Sequence, residues 1–278
     1  MQSGYLQWLC VVAMSCAVPA WAQPCGQLPA PRSIADAEGC LAIVPIAEPA
    51  AGETGPQPRV LMVLLHGDRE GSLEQRHIER WTTVGNTLKG VGHVVVFVIR
   101  PGYRSPAGDS SGWANPQDDD YTPQNIERVA QALRALRERY GAAKVLLVGH
   151  SGGAATSALV LGRHPGAADA ALLLGCPCDV PPWRAHRGAQ RGRNVSWGRS
   201  LNPLDAVATI PTGTPVIAIT GAQDDNTLPE FARRWTAAAT ARGLAARFEA
   251  VEGRDHNSIL AWPEIPQRVT ELVQALSR

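Results

Sequence analysis

The chain has 278 residues, with 26 basic and 25 acidic side chains and a formal net charge of +1. No single-sign excess points to a nucleic acid or other polyanion as partner. The length suits one α/β domain with a sizeable core, and 45% apolar composition excludes extended disorder.

In chain order, residues 6–18 are an apolar run of signal-peptide length, too short to span a bilayer comfortably. Pro19 breaks the run, and Ala20-Trp21-Ala22 supplies the small residues of a cleavage site. Residues 1–5 carry no Lys or Arg, which departs from the usual pattern. The expectation is a signal peptide over 1–22, export to the periplasm or medium, and no stable membrane insertion once it is removed. Cysteine usage agrees: Cys10 and Cys16 leave with the signal, and Cys25, Cys40, Cys176 and Cys178 remain. Of the three pairings, Cys25 with Cys40 is the simplest because it closes a short loop. Cys176-Pro177-Cys178 is then a tight ring or two thiols. A metal site there is not expected, since no second ligand pair lies at suitable spacing.

Residues 23–58 read as a lead-in segment rich in Pro, Ala and Gly, with one edge strand near 41–46. The domain proper is expected over 59–278. Residues 60–65 form a continuous apolar run, a buried parallel strand that ends in His66-Gly67-Asp68. Residues 72–88 suit a helix and 94–99 a strand. Residues 100–121 are a polar loop containing Asp118-Asp119-Asp120, read as a solvated acidic run rather than a calcium loop because the EF-hand spacing is absent. Thr122-Pro123 caps the next helix, whose apolar stripe runs from Ile126 to Tyr140, and Gly141 ends it.

Residues 144–155 organise the rest. An apolar strand stops at Gly149, Ser151 follows, and a helix-compatible run begins at Ala154. Gly149, Ser151 and Gly153 fill G-x-S-x-G in a strand–turn–helix setting. Small neighbours are needed because a serine at so sharp a turn sits in strained backbone. Further strands are expected at 170–174, 216–220 and 246–251, and helices at 229–242 and 265–276. Strands alternating with helices predict a mostly parallel central sheet flanked by helices. Residues 176–211 break the alternation, with five prolines, Trp183, Trp197 and five arginines showing little periodicity.

From about residue 60 to the C-terminus the chain resembles the α/β-hydrolase superfamily, in particular its secreted dienelactone-hydrolase-like and prolyl-oligopeptidase-like members. The resemblance rests on the elbow at Ser151, on His66-Gly67, and on a glycine, a short spacer and His256 after the last strand. It implies an α/β-hydrolase fold with a short cap or lid over 176–211 and a Ser-Asp-His order along the chain. Ser151 is then the nucleophile and His256 the general base. The acid is Asp224, three residues after Gly221, or its neighbour Asp225, with Asp224 preferred. The oxyanion donors are the backbone N–H of Gly152 and of Asp68, or of Arg69 in place of Asp68. Asp68 is expected to turn its carboxylate away, toward an arginine. His66 and His150 take orienting roles.

The implied activity is hydrolysis of a small-molecule carboxylic ester through an acyl-enzyme, with peptide hydrolysis and a non-catalytic binding protein as the alternatives. No metal or organic cofactor is implied. The arginines Arg184, Arg187, Arg191, Arg193 and Arg199 of the cap either form a solvated face or grip an anionic substrate group, with Trp183 or Trp197 as an apolar wall.

Overall fold

The computed structural model describes residues 28, 32–48, 60–89, 94–115, 119–192 and 199–278. The expected signal peptide, Cys25, Asp118, Arg193 and Trp197 lie outside those residues. Eight strands form one sheet in the order β1-β2-β4-β3-β5-β6-β7-β8. They are β1 (Ser33–Asp36), β2 (Gly39–Ala47), β3 (Val60–Leu65), β4 (Val94–Val98), β5 (Lys144–His150), β6 (Ala170–Leu174), β7 (Pro215–Gly221) and β8 (Ala245–Val251). Strands β4, β3, β5, β6, β7 and β8 are mutually parallel, whereas β2 pairs antiparallel with both β1 and β4.

The inner parallel strands β3 to β7 read as nearly unbroken apolar runs because both sheet faces are covered, whereas the edge strand β8 carries Arg247 and Glu249 and is only partly buried. Alternation divides each strand between two cores. Leu61, Val63 and Leu65 join one core with Val145 and Leu147, under α2 (Pro123–Tyr140), α3 (Gly152–Arg163) and α6 (Pro229–Ala241). Met62 and Leu64 join the other with Leu146 and Val148, under α1 (Gln75–Thr87) and α7 (Ile265–Leu276). The termini of α2 follow the residue code: the Asn125 N–H donates to Thr122 Oγ1, Pro123 opens the first turn, and Gly141 closes the helix in left-handed conformation. Among the described residues no helix is long and apolar enough to cross a membrane.

Two segments depart from the sequence reading. Residues 33–47 form a hairpin rather than one edge strand, and β1 escapes notice because its Ser-Ile-Ala-Asp carries little apolar signal. Arg128 of α2 holds that edge, donating to Asp36 at 2.9 Å. The cap segment contains two further helices, α4 (Val180–Arg191) and α5 (Pro203–Ala206). Pro181 and Pro182 look like breakers, but they occupy the first turn of α4, where no intrahelical N–H bond is lost.

Candidate active site

The carboxyl ends of β3, β5, β7 and β8 converge on one crevice, the position that a parallel α/β sheet offers to a ligand. Ser151 stands between β5 and α3 with φ 53° and ψ −121°, a conformation that costs a non-glycine residue about 1–3 kcal/mol. A Cβ on Gly149 would lie 2.4 Å from the Gly153 carbonyl oxygen, and one on Gly153 would lie 2.1 Å from that of Leu65. The turn therefore closes only with glycine at both places. The Ser151 N–H donates to the Leu174 carbonyl at 2.8 Å, which ties the elbow to β6.

Ser151 Oγ lies 3.0 Å from His256 Nε2, and His256 Nδ1 lies 2.8 Å from Asp224 Oδ2. All three residues are buried. Asp224, not Asp225, meets the imidazole; Asp225 is exposed and offers only its backbone carbonyl, to the side chains of His186 and Gln190. Asp224 Oδ1 accepts the N–H groups of Asn226 and Thr227 at 3.0 and 2.8 Å. Thr227 Oγ1 donates to Asp224 Oδ2 at 2.8 Å and stands 3.0 Å from His256 Nδ1. Thr227 is a residue the sequence reading missed. Its signal was local, since an aspartate that accepts from residues two and three ahead is an Asx turn.

His66 and His150 take the orienting positions. The Arg100 N–H donates to His66 Nε2 at 3.0 Å, so His66 carries its proton on Nδ1 and donates it to the Gly67 carbonyl at 2.8 Å. Burial, followed by the nearby Arg100 charge, keeps His66 neutral by holding its pKa well below the usual histidine range. His150 Nε2 donates to the His256 carbonyl at 2.7 Å and fixes the backbone of the residue that faces Ser151. Its pKa is likewise driven down, by burial first and then by His256.

Gly152 opens α3, so its N–H has no carbonyl four residues back in the helix to bond. Asp68 follows β3 across the crevice. Its carboxylate does turn to an arginine: Arg100 Nη1 donates to Oδ1 at 2.8 Å and the Tyr121 hydroxyl donates to Oδ2 at 2.6 Å. It does not leave the neighbourhood, however. A Cβ on Gly152 would lie 2.2 Å from Asp68 Oδ1, so the carboxylate rests on the positive end of α3. Its charge is offset by Arg100 and Tyr121 rather than carried away from the site.

The two described acids of the run, Asp119 and Asp120, are not a solvated face. Asp119 and Asp120 are 5% and 2% exposed. Asp120 pairs with Arg100, which thereby bridges it to Asp68, and Asp119 pairs with Arg184 of α4 and accepts from Ser200. The run thus ties the loop after β3 to the cap, a role that no spacing rule announces. Among the described residues no group of three or more His, Cys, Asp or Glu side chains is placed to hold a metal.

Burial pushes the Asp119 carboxyl up from 3.8 to about 6 despite Arg184. The folded protein therefore binds this proton more readily than the unfolded chain does. The associated stabilisation is full below the unfolded pKa near 3.8 and is lost as pH rises through about 6. A shift of this size corresponds to about 3 kcal/mol. Wild type should gain stability relative to Asp119→Asn as pH falls from neutral toward 4. Urea melts of both proteins across that range check this, and a pH-independent gap contradicts it.

A cleft of about 960 Å³ opens over Ser151 and His256, lined on one side by Asp68, Arg69 and Glu70 and on the other by α4. Trp183, Arg184, Arg187 and Arg191 share one helical face toward it. The Trp183 indole N–H donates to the Asn226 carbonyl at 3.1 Å, so α4 leans on the loop that carries Asp224. Arg199 is exposed and does not line the cleft. Cys176 and Cys178, in the loop after β6, are disulfide-bonded to each other, which decides between the ring and the two thiols. Cys40 is also disulfide-bonded; Cys25, its expected partner, lies outside the described residues.

No curated protein matches the sequence. Solved structures share the fold at low identity. An esterase of Pyrococcus furiosus is 15% identical with a TM-score of 0.65, over 87% of this chain and 89% of that one. Est1E of Butyrivibrio proteoclasticus, with ferulic acid bound, is 17% identical with a TM-score of 0.65, over 88% and 99%. A proline iminopeptidase of Mycobacterium smegmatis is 14% identical with a TM-score of 0.63, over 88% and 98%. The model of the family described as alpha/beta hydrolase fold matches residues 61–208, more than half of the sequence. The chain belongs to the α/β-hydrolase fold family.

Proposed function

We propose that the protein is an exported serine hydrolase that cleaves carboxylic esters through an acyl-enzyme. The observation that carries this reading is the chain of contacts from Ser151 Oγ through His256 to Asp224, at 3.0 and 2.8 Å, with the serine on a strained elbow. Ser151 Oγ attacks the ester carbonyl carbon while its proton passes to His256 Nε2. Asp224 holds the imidazolium, and the N–H groups of Gly152 and Asp68 receive the oxyanion. The tetrahedral intermediate collapses, the alkoxide leaves with the proton from His256, and an acyl-serine remains. Water then attacks that ester, giving its proton to His256, and collapse returns the proton to Ser151 with release of the acid.

Support for an ester over an amide comes from the esterases that share the fold and from the sufficiency of a simple triad for an ester. The iminopeptidase on the same fold makes peptidase action the second reading. Oxidised cysteines and the leader-like residues 1–22 support export.

Material recovered from the exported fraction should begin at Gln23 and hydrolyse nitrophenyl esters of short and medium acids, with little action on aminoacyl anilides. Anilide cleavage with inert esters transfers the reading to a peptidase. An unprocessed chain retained inside the cell removes export from it.

A further inference from the structure

The cap helix α4 presents charge to the cleft in a pattern that the hydrolytic machinery leaves unused. Arg184, Arg187 and Arg191 recur at intervals of three and four and line the cleft beside Ser151. Their situations differ. Arg184 is 5% exposed and paired with Asp119, so it anchors the helix. Among the described residues, neither Arg187 nor Arg191 forms an ion pair, and nor does Arg69 on the facing wall. Arg76, on the same wall as Arg69, pairs with Glu74, and Asp68 is engaged by Arg100.

Glu70 remains as an exposed acid of the lining, against three guanidinium groups that have no carboxylate partner among the described residues. The surplus is modest and suits one singly charged group. Burial lowers the Arg187 pKa, and repulsion from Arg191 adds to it, against the opposing pull of Asp225 and Asp224. An anion between them would relieve that repulsion.

The helix is also held firmly enough to aim these groups. Gln190 Nε2 donates to the Asp225 carbonyl at 2.8 Å, and the Arg187 guanidinium donates to Gln190 Oε1. Trp183, on the same face, packs its indole beside Arg184 at 5.2 Å and contributes an apolar wall near the start of α4.

We propose that Arg187 and Arg191, with Arg69 opposite, hold a carboxylate on the substrate, so that the enzyme prefers esters whose acyl part ends in a carboxylate. This deepens the ester-hydrolase reading and rests on it. The planar guanidinium fork matches a carboxylate in two parallel hydrogen bonds, and a cleft partly closed to water strengthens them.

The test compares the mononitrophenyl ester of a dicarboxylic acid with the same ester methyl-capped at its far carboxyl. Wild type should show a kcat/KM about tenfold higher for the anionic ester at low salt, and the ratio should shrink as salt rises. Arg187→Glu and Arg191→Glu, each measured alone, should bring the ratio to about one or below. Arg163→Glu makes the same change in net charge at the exposed far end of α3 and should keep the wild-type ratio. A neutral ester that is cleaved without any anionic preference overturns the inference and leaves the hydrolase reading standing. A preference that survives both substitutions on α4, or that falls equally with Arg163→Glu, also overturns it. Failure of wild type on both esters removes the ester reading itself, and this inference with it.

Discussion

Ser151→Ala is expected to fold as wild type does and to lose at least about a thousandfold in kcat toward nitrophenyl esters. The substitution keeps the Cβ that already fits the elbow and removes only Oγ, whose contact in the site is with His256 Nε2 at 3.0 Å. The close approaches that build the turn involve Gly149, Gly153 and the Leu65 carbonyl, and none of them changes. The residual rate would come from substrate binding and the oxyanion donors. Paired kinetics and thermal melts decide the matter. Undiminished turnover in a folded variant removes Ser151 as nucleophile, whatever its geometry.

The second large effect separates two neighbouring acids. Asp224→Asn should lower kcat by about 10³- to 10⁴-fold, because an amide at this position can present an N–H to His256 Nδ1 and favour the unproductive tautomer. The variant should keep its fold if the amide oxygen takes over the N–H groups of Asn226 and Thr227 that Asp224 Oδ1 now accepts. Asp225→Asn should stay within about threefold of wild type, since His186 and Gln190 bond its backbone carbonyl and not its carboxylate. The pH–rate profile adds a second readout, because a lost carboxylate changes the ionisation that the base displays in turnover. Equal and small losses in the two variants would mean that neither acid orients the base.

Much of this molecule was readable in one dimension because the physics involved is local. Parallel strands announce themselves as unbroken apolar runs, since burial on both faces leaves no room for alternation. The elbow is legible because glycine is compulsory where Gly149 and Gly153 meet other backbone. Thr122-Pro123 and Gly141 marked the ends of α2 by capping chemistry confined to a few residues.

Other features depended on partners far along the chain. Asp119 and Asp120 look like a solvated acidic run, and only Arg184 and Arg100, brought to them by the cap and by the end of β4, make their burial tolerable. The choice of Asp224 over Asp225 is a matter of which one the strand end aims at His256, and one residue of register reverses it. Helix α4 was hidden by prolines that a first turn accepts, and its arginines became a face only once that helix existed. The sequence by itself determined the parallel strands, the elbow and the kinds of residue needed for hydrolysis, because each depends on neighbours a few positions away. Tertiary structure alone decided which acid meets the base, where the buried charges find their counter-ions and which arginines face the cleft, because those outcomes rest on contacts between segments that only folding brings together.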